Sequence, residues 1–283
     1  MKLATFRATG TVTWGIIQDD QAFDLGSLFH AGRPDLRSAL GSDLAEFKAA
    51  ASRASRHALE AIEWLPVIPN PPKIICIGLN YDMHVKETGR SAAQYPTLFA
   101  RYANTQIGHG AGIVRPRVST RLDYEGELAV IIGKPGRHIA RADAWSHVAG
   151  YSCYNDASVR DWQRHTSQFT PGKNFPGTGA FGPWLVTRDA MGEIGPQRIQ
   201  TRVNGAVLQD ATLGEMIFDI PHIIEYCSAF TRLEPGDVIA TGTPGGVGDR
   251  REPPLWLKPG DTVEVEIGGI GTLRNAVVDE APA

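Results

Sequence analysis

The sequence predicts a mixed, mostly antiparallel α+β fold, and three observations carry that reading. Short apolar runs rich in Val, Ile and Tyr recur from residue 74 onward, at lengths that suit strands. Gly/Pro turns separate them, as at Glu234-Pro235-Gly236-Asp237 and Lys258-Pro259-Gly260-Asp261. Strand and helix do not alternate in the regular way that builds a doubly wound parallel sheet.

The elements follow in order. Residues 1–68 read as a small N-terminal α/β leader domain, with strands at 11–17 and 22–25 around the turn at Asp19-Asp20. Residues 36–64 are rich in Ala, Leu and Arg at helical spacing. The stretch 66–73, Pro-Val-Ile-Pro-Asn-Pro-Pro-Lys, is too rich in proline for a helix or a central strand, so the boundary falls there and 69–283 form the larger domain. Within it, strands are expected at 74–77, 127–132, 148–154, 184–187, 237–241 and 262–267, interrupted by one helix at roughly 214–230.

With 42% hydrophobic and 21% charged residues in 283, the chain can bury a substantial core. A formal charge of -3 gives no electrostatic reason to expect nucleic acid or an anionic membrane as partner, so an anionic ligand must be held by a few placed cations. The start of the chain has no apolar stretch of signal-peptide length, and the run Leu128–Ile132 is far too short to cross a bilayer. A cytoplasmic protein is expected. Cys76, Cys153 and Cys227 are widely spaced among apolar neighbours, as buried reduced thiols would be.

The sharpest chemical feature is Asp123-Tyr124-Glu125-Gly126-Glu127. Positions two apart in a strand face the same side, about 7 Å apart, so Glu125 and Glu127 share a face with Ala129 and Ile131. Two carboxylates side by side at the end of a core strand repel unless protonated or bound to a hard cation such as Mg²⁺, Mn²⁺ or Ca²⁺. The alternative is an edge strand carrying two solvated glutamates. Asp156 follows the strand at 148–154; read as a helical turn, Asp156, Arg160 and Gln163 fall on one face, with Asp156 capping the helix start. His84 and Glu87 stand at i and i+3, either as an imidazole oriented by a carboxylate to serve as base or as a surface pair. Two glycine-rich loops carry Lys173 and Thr243. The second is no phosphate loop, because Arg250-Arg251-Glu252-Pro253-Pro254 stands where the phosphate-binding helix would have to begin.

Taken in order, these motifs resemble the fumarylacetoacetate hydrolase family. The match runs from about Ile74 to Asn275: Gly78-Leu79-Asn80-Tyr81 with His84 and Glu87, the Asp123-Tyr124-Glu125-Gly126-Glu127-Leu128 strand, the segment from Gly150-Tyr151 to Gln163, and the loop Gly242–Gly248. The resemblance implies a mixed β-roll, a homodimer, and a divalent ion, Mg²⁺ or a similar one, on Glu125, Glu127 and Asp156. It further implies that the His84/Glu87 dyad rides on a short lid, and that Arg160, Gln163, Lys173 and Thr243 hold the substrate carboxylate and developing oxyanion. Two departures bear on substrate choice: Asn174-Phe175-Pro176-Gly177 after Lys173, and Arg101-Tyr102 where a lysine is frequent.

The expected activity is metal-dependent cleavage of a C–C bond in an acylpyruvate or other 2,4-dioxo acid, giving pyruvate and a carboxylic acid. In it His84, oriented by Glu87, activates water, and Lys173 with loop N–H groups stabilises the oxyanion. An oxaloacetate-type decarboxylase or a tautomerase/isomerase on the same scaffold is the alternative. A silent metal- or ligand-binding protein is the alternative of another class, opposed by the presence of a competent group at every one of these positions.

Overall fold

The apolar run at 126–132 becomes the centre of the molecule because every residue in it is buried, as a strand covered on both faces requires. A computed structural model describes residues 1–89 and 93–282. Strand Gly126–Ile132 pairs antiparallel with Val148–Asp156 on one side and with Val238–Ala240 on the other. Val238–Ala240 pairs parallel with Ile74–Gly78, which pairs antiparallel with Thr97–Arg101 at the edge. Beyond Val148–Asp156 the same large sheet continues through Gly179–Thr187 to Lys2–Ala8, joined by Leu3↔Leu185. A second sheet of five strands carries Ala206–Thr212, Arg198–Val203, Thr262–Ile267, Gly271–Asp279 and Ile113–Arg115. The α+β class with mostly antiparallel pairing is the one the sequence predicts.

Alternation along Gly126–Ile132 divides the core. Leu128, Val130 and Ile132 pack with Ile199, Val265 and Leu273 of the second sheet. Ala129 and Ile131 face the other way, into a cluster with Trp14, Leu36 and Phe47 from the first 68 residues. Those residues therefore bring their own strands and helices but share a core with the large sheet.

Three local expectations change. Residues 36–64 form two short α-helices, Leu36–Ala39 and Leu44–Ala51, and one 3-10 turn, Leu59–Ala61; Ser55–Ala58 pairs with Gln21–Asp24 and Glu63–Trp64 pairs with Lys2–Ala8. Strand edges that need a neighbour override the helical spacing there. The helix expected at 214–230 starts at Ile220, where the Asp219 side chain caps it by accepting from the His222 N–H. Asp156 caps no helix: it is the last residue of its strand, and the helix Arg160–Gln163 begins without a side-chain cap. The three thiols are buried and free.

Candidate active site

Strand register assembles the acidic floor. Gly126 lies opposite Asn155, and the Asp156 N–H donates to the Glu125 carbonyl at 2.8 Å, so Asp156 arrives beside the glutamate pair from the neighbouring strand. The Asn155 side-chain oxygen accepts the Glu125 N–H at 3.0 Å. One carboxylate oxygen each of Glu125, Glu127 and Asp156 lies within 4.8 Å of the others, and all three residues are buried.

Cations surround this floor unevenly. Lys173 Nζ donates to Glu125 Oε2 at 2.7 Å and to Asp156 Oδ2 at 2.6 Å. Arg160 reaches Glu125 Oε1 at 2.6 Å and holds Asp123 through Nε at 2.8 Å. Arg101 donates to the remaining Asp156 oxygen, Oδ1, at 2.5 Å. Glu127 is bonded instead to a backbone group, the Gly242 N–H at 2.9 Å. Burial pushes the Glu125 carboxyl up, but Lys173 and Arg160 overcome this and hold it at about 2. Burial, then the charges of Asp156 and Glu125, push Glu127 well above the usual carboxylate range. Burial also opposes the Lys173 charge, yet Asp156 and Glu125 raise its pKa above the ordinary lysine value. A buried glutamate facing two carboxylates needs a proton or a cation, and three carboxylate oxygens at this spacing are a donor set that suits a hard divalent ion.

His84 lines the same cavity as Glu125 and Glu127. Leu79 takes a left-handed φ of 59° and Asn80 pins the turn, donating to the Phe218 and Thr241 carbonyls at 3.0 and 2.7 Å. Helix Asp82–Thr88 follows and closes on Gly89 at φ 70°. On it, His84 Nδ1 meets Glu87 Oε1 at 2.7 Å, while Glu87 Oε2 accepts the Gly246 N–H at 2.8 Å. The carboxylate favours the tautomer with the proton on Nδ1, leaving Nε2 as acceptor.

His84, Glu125, Glu127, Arg160, Gln163, Lys173 and Thr243 all line one cavity of about 510 Å³. Glu87 stands behind His84, and Asp156 is fully buried beneath the floor. Gln163 accepts from Arg160 at 3.0 Å. The Thr243 hydroxyl donates to the Gly126 carbonyl at 2.9 Å. A larger hollow of about 750 Å³ beside Trp145, Ile194 and Pro221 lies apart from this cluster. Sequence reasoning assigned no role to Asp123 or Gln209, and noted Arg101 only as a departure. Asp123 lies inside the glutamate motif and could have been found there; Gln209 carries no local signal at all.

The chain is similar to known proteins. Residues 73–278 match the family model described as fumarylacetoacetate (FAA) hydrolase C-terminal. The human mitochondrial oxaloacetate tautomerase FAHD2A is 41% identical over 219 residues, covering 77% of this chain and 70% of that one. The solved fumarylacetoacetate hydrolase of the psychrophile Exiguobacterium antarcticum superposes with a TM-score of 0.86 at 35% identity, covering 99% of this chain and all of that one. Maleylpyruvate hydrolase from Sphingobium sp. SYK-6, solved with manganese(II) and pyruvate, gives a TM-score of 0.81 at 28% identity with the same coverage.

Proposed function

The chain belongs to the fumarylacetoacetate hydrolase family, and from that premise we propose that it is a divalent-metal-dependent enzyme interconverting the keto and enol forms of a small 2-oxo acid of the oxaloacetate type. The observation that carries this reading is the 2.7 Å His84–Glu87 contact beside the cavity that Glu125 and Glu127 line, with Asp156 buried next to them. One oriented base beside a cation site is what proton transfer next to a 2-oxo group requires.

Glu125, Glu127 and Asp156 would hold Mg²⁺, Mn²⁺ or Ca²⁺. Such an ion supplies Lewis acidity toward the oxygens of a 2-oxo acid. His84 Nε2 takes the proton from C3, the C–H electrons become the C2–C3 double bond as the C2=O π pair moves onto oxygen, and the imidazolium returns the proton to that oxygen. Glu87 keeps the ring oriented. Lys173 and Arg160 bring positive charge to the floor of the cavity, where a substrate carboxylate would sit. The name and identity of the human relative support tautomerisation.

The second reading is cleavage of an acylpyruvate by water. The same dyad supports it, because a base able to take a C3 proton can equally deprotonate water. Purified protein with Mg²⁺ or Mn²⁺ is offered oxaloacetate and acylpyruvates while enol absorbance, pyruvate and CO₂ are followed. Faster enol–keto equilibration without pyruvate release is the expected result. Pyruvate formed from an acylpyruvate, with no effect on enol absorbance, would replace tautomerisation by hydrolysis.

A further inference from the structure

Gly126, the residue between the two glutamates, is held through both of its backbone polar groups by a closed ring of hydrogen bonds. The Gly126 N–H donates to Gln209 Oε1 at 2.9 Å, Gln209 Nε2 donates to Thr243 Oγ1 at 2.7 Å, and Thr243 Oγ1 donates to the Gly126 carbonyl at 2.9 Å. The second Gln209 proton goes to the Pro244 carbonyl at 2.8 Å. Both side chains are buried, at 1% and 2% exposure, so these bonds are made away from competing water. The ring joins three parts of the fold: strand Gly126–Ile132, strand Ala206–Thr212 of the second sheet, and the loop after Val238–Ala240. That loop also supplies the Gly242 N–H to Glu127 and the Gly246 N–H to Glu87.

Two consequences follow. A hydroxyl has one proton, and that of Thr243 is given to Gly126, so in this arrangement it has none left to donate to a substrate carboxylate. Gln209 has used both amide protons, and its oxygen holds the one backbone N–H that lies between Glu125 and Glu127.

We propose that Gln209 and Thr243 are positioning residues that act as a unit, fixing the separation of Glu125 and Glu127 for cation binding. The proposal rests on the reading that these carboxylates hold a divalent ion. Mn²⁺ binding to chelator-treated protein is measured by calorimetry for the unsubstituted chain, Thr243→Val, Thr243→Ser, Gln209→Met and the Gln209→Met/Thr243→Val double variant. Misplacing groups that orient metal ligands weakens affinity by roughly 10- to 100-fold, and each of Thr243→Val and Gln209→Met is expected to do so. Thr243→Ser, which keeps the hydroxyl, should bind as the unsubstituted chain does, and the double variant should be no weaker than the weaker single one. Thr243→Val is nearly isosteric, so it and its serine control decide the matter even where Gln209→Met fails to fold.

Mn²⁺ affinity unchanged within about twofold in Thr243→Val, with only KM for the 2-oxo acid raised, would overturn the proposal and return Thr243 to substrate binding. Losses that multiply in the double variant would overturn the idea of a unit. An unsubstituted chain that takes up no Mn²⁺ would overturn the cation reading itself, and is seen before any substitution is made.

Discussion

Glu125 and Glu127 stand two residues apart, yet their surroundings give them opposite characters. Glu125 is held ionised by Lys173 and Arg160, whereas Glu127 is pushed toward protonation by burial and by its acidic neighbours. Opposite effects on the metal-free protein are therefore expected from the same chemical change. Glu127→Gln removes a carboxyl that must either take up a proton or bury an uncompensated charge, and should stabilise metal-free protein by about 1 kcal/mol, roughly 2–4 °C in Tm for a chain of this size. Glu125→Gln takes one carboxylate from Lys173, which keeps Asp156, and one from Arg160, which keeps Asp123, and should destabilise it by about 1–3 kcal/mol. Both should weaken Mn²⁺ binding. Thermal unfolding in chelator measures the contrast, and a Glu127→Gln protein that melts lower than the unsubstituted one would show that the glutamate is compensated after all.

At the scale of elements, the helix Asp82–Thr88 and the glycine loop work as a pair, because Glu87 bonds both His84 and the Gly246 N–H. Removing the base should cut the turnover number for enol–keto interconversion by about 10²–10⁴-fold in His84→Ala. Any oxaloacetate decarboxylation should fall much less, since losing CO₂ needs no general base. Separate measurement of kcat and KM for both reactions checks this; equal losses in kcat would show that His84 is no specific base. The strand Gly126–Ile132 sets a second limit. A Cβ on Gly126 would lie 2.0 Å from Thr201 Oγ1 of the facing sheet. Gly126→Ala should force the two sheets apart and cost about 1–3 kcal/mol, read as a lower Tm. An unchanged Tm would mean that Thr201 moves aside freely.

For the whole molecule, the large sheet ends at Thr97–Arg101, near which Tyr95 stacks on Tyr226 and Tyr226 meets Phe230. Tyr95 and Phe230 are more than half exposed. A sheet edge beside exposed aromatic rings is a surface that gains from being covered, and the family resemblance points to a second copy of the chain. Light scattering at micromolar concentration is expected to give twice the chain mass; a monomer would count against it. Among the described residues no helix is long and apolar enough to cross a membrane.

What the sequence determined by itself was local and periodic. The shared side of Glu125 and Glu127, the His84/Glu87 spacing and the strand at 262–267 each follow from torsions repeated over a few residues, and each stands in the structure, although Glu125 lies one residue before its strand. Even the paired strands at 55–58 and 63–64, misread as helix, mark where local spacing yields to a neighbouring edge. Only the tertiary structure decided that Asp156 leaves a strand instead of capping a helix, that Lys173 and Arg101 divide its two oxygens, and that Gln209 crosses from the second sheet to Gly126. These contacts join residues 17 to 83 positions apart. Such contacts depend on strand register and on how closely two sheets approach, and no local periodicity encodes either.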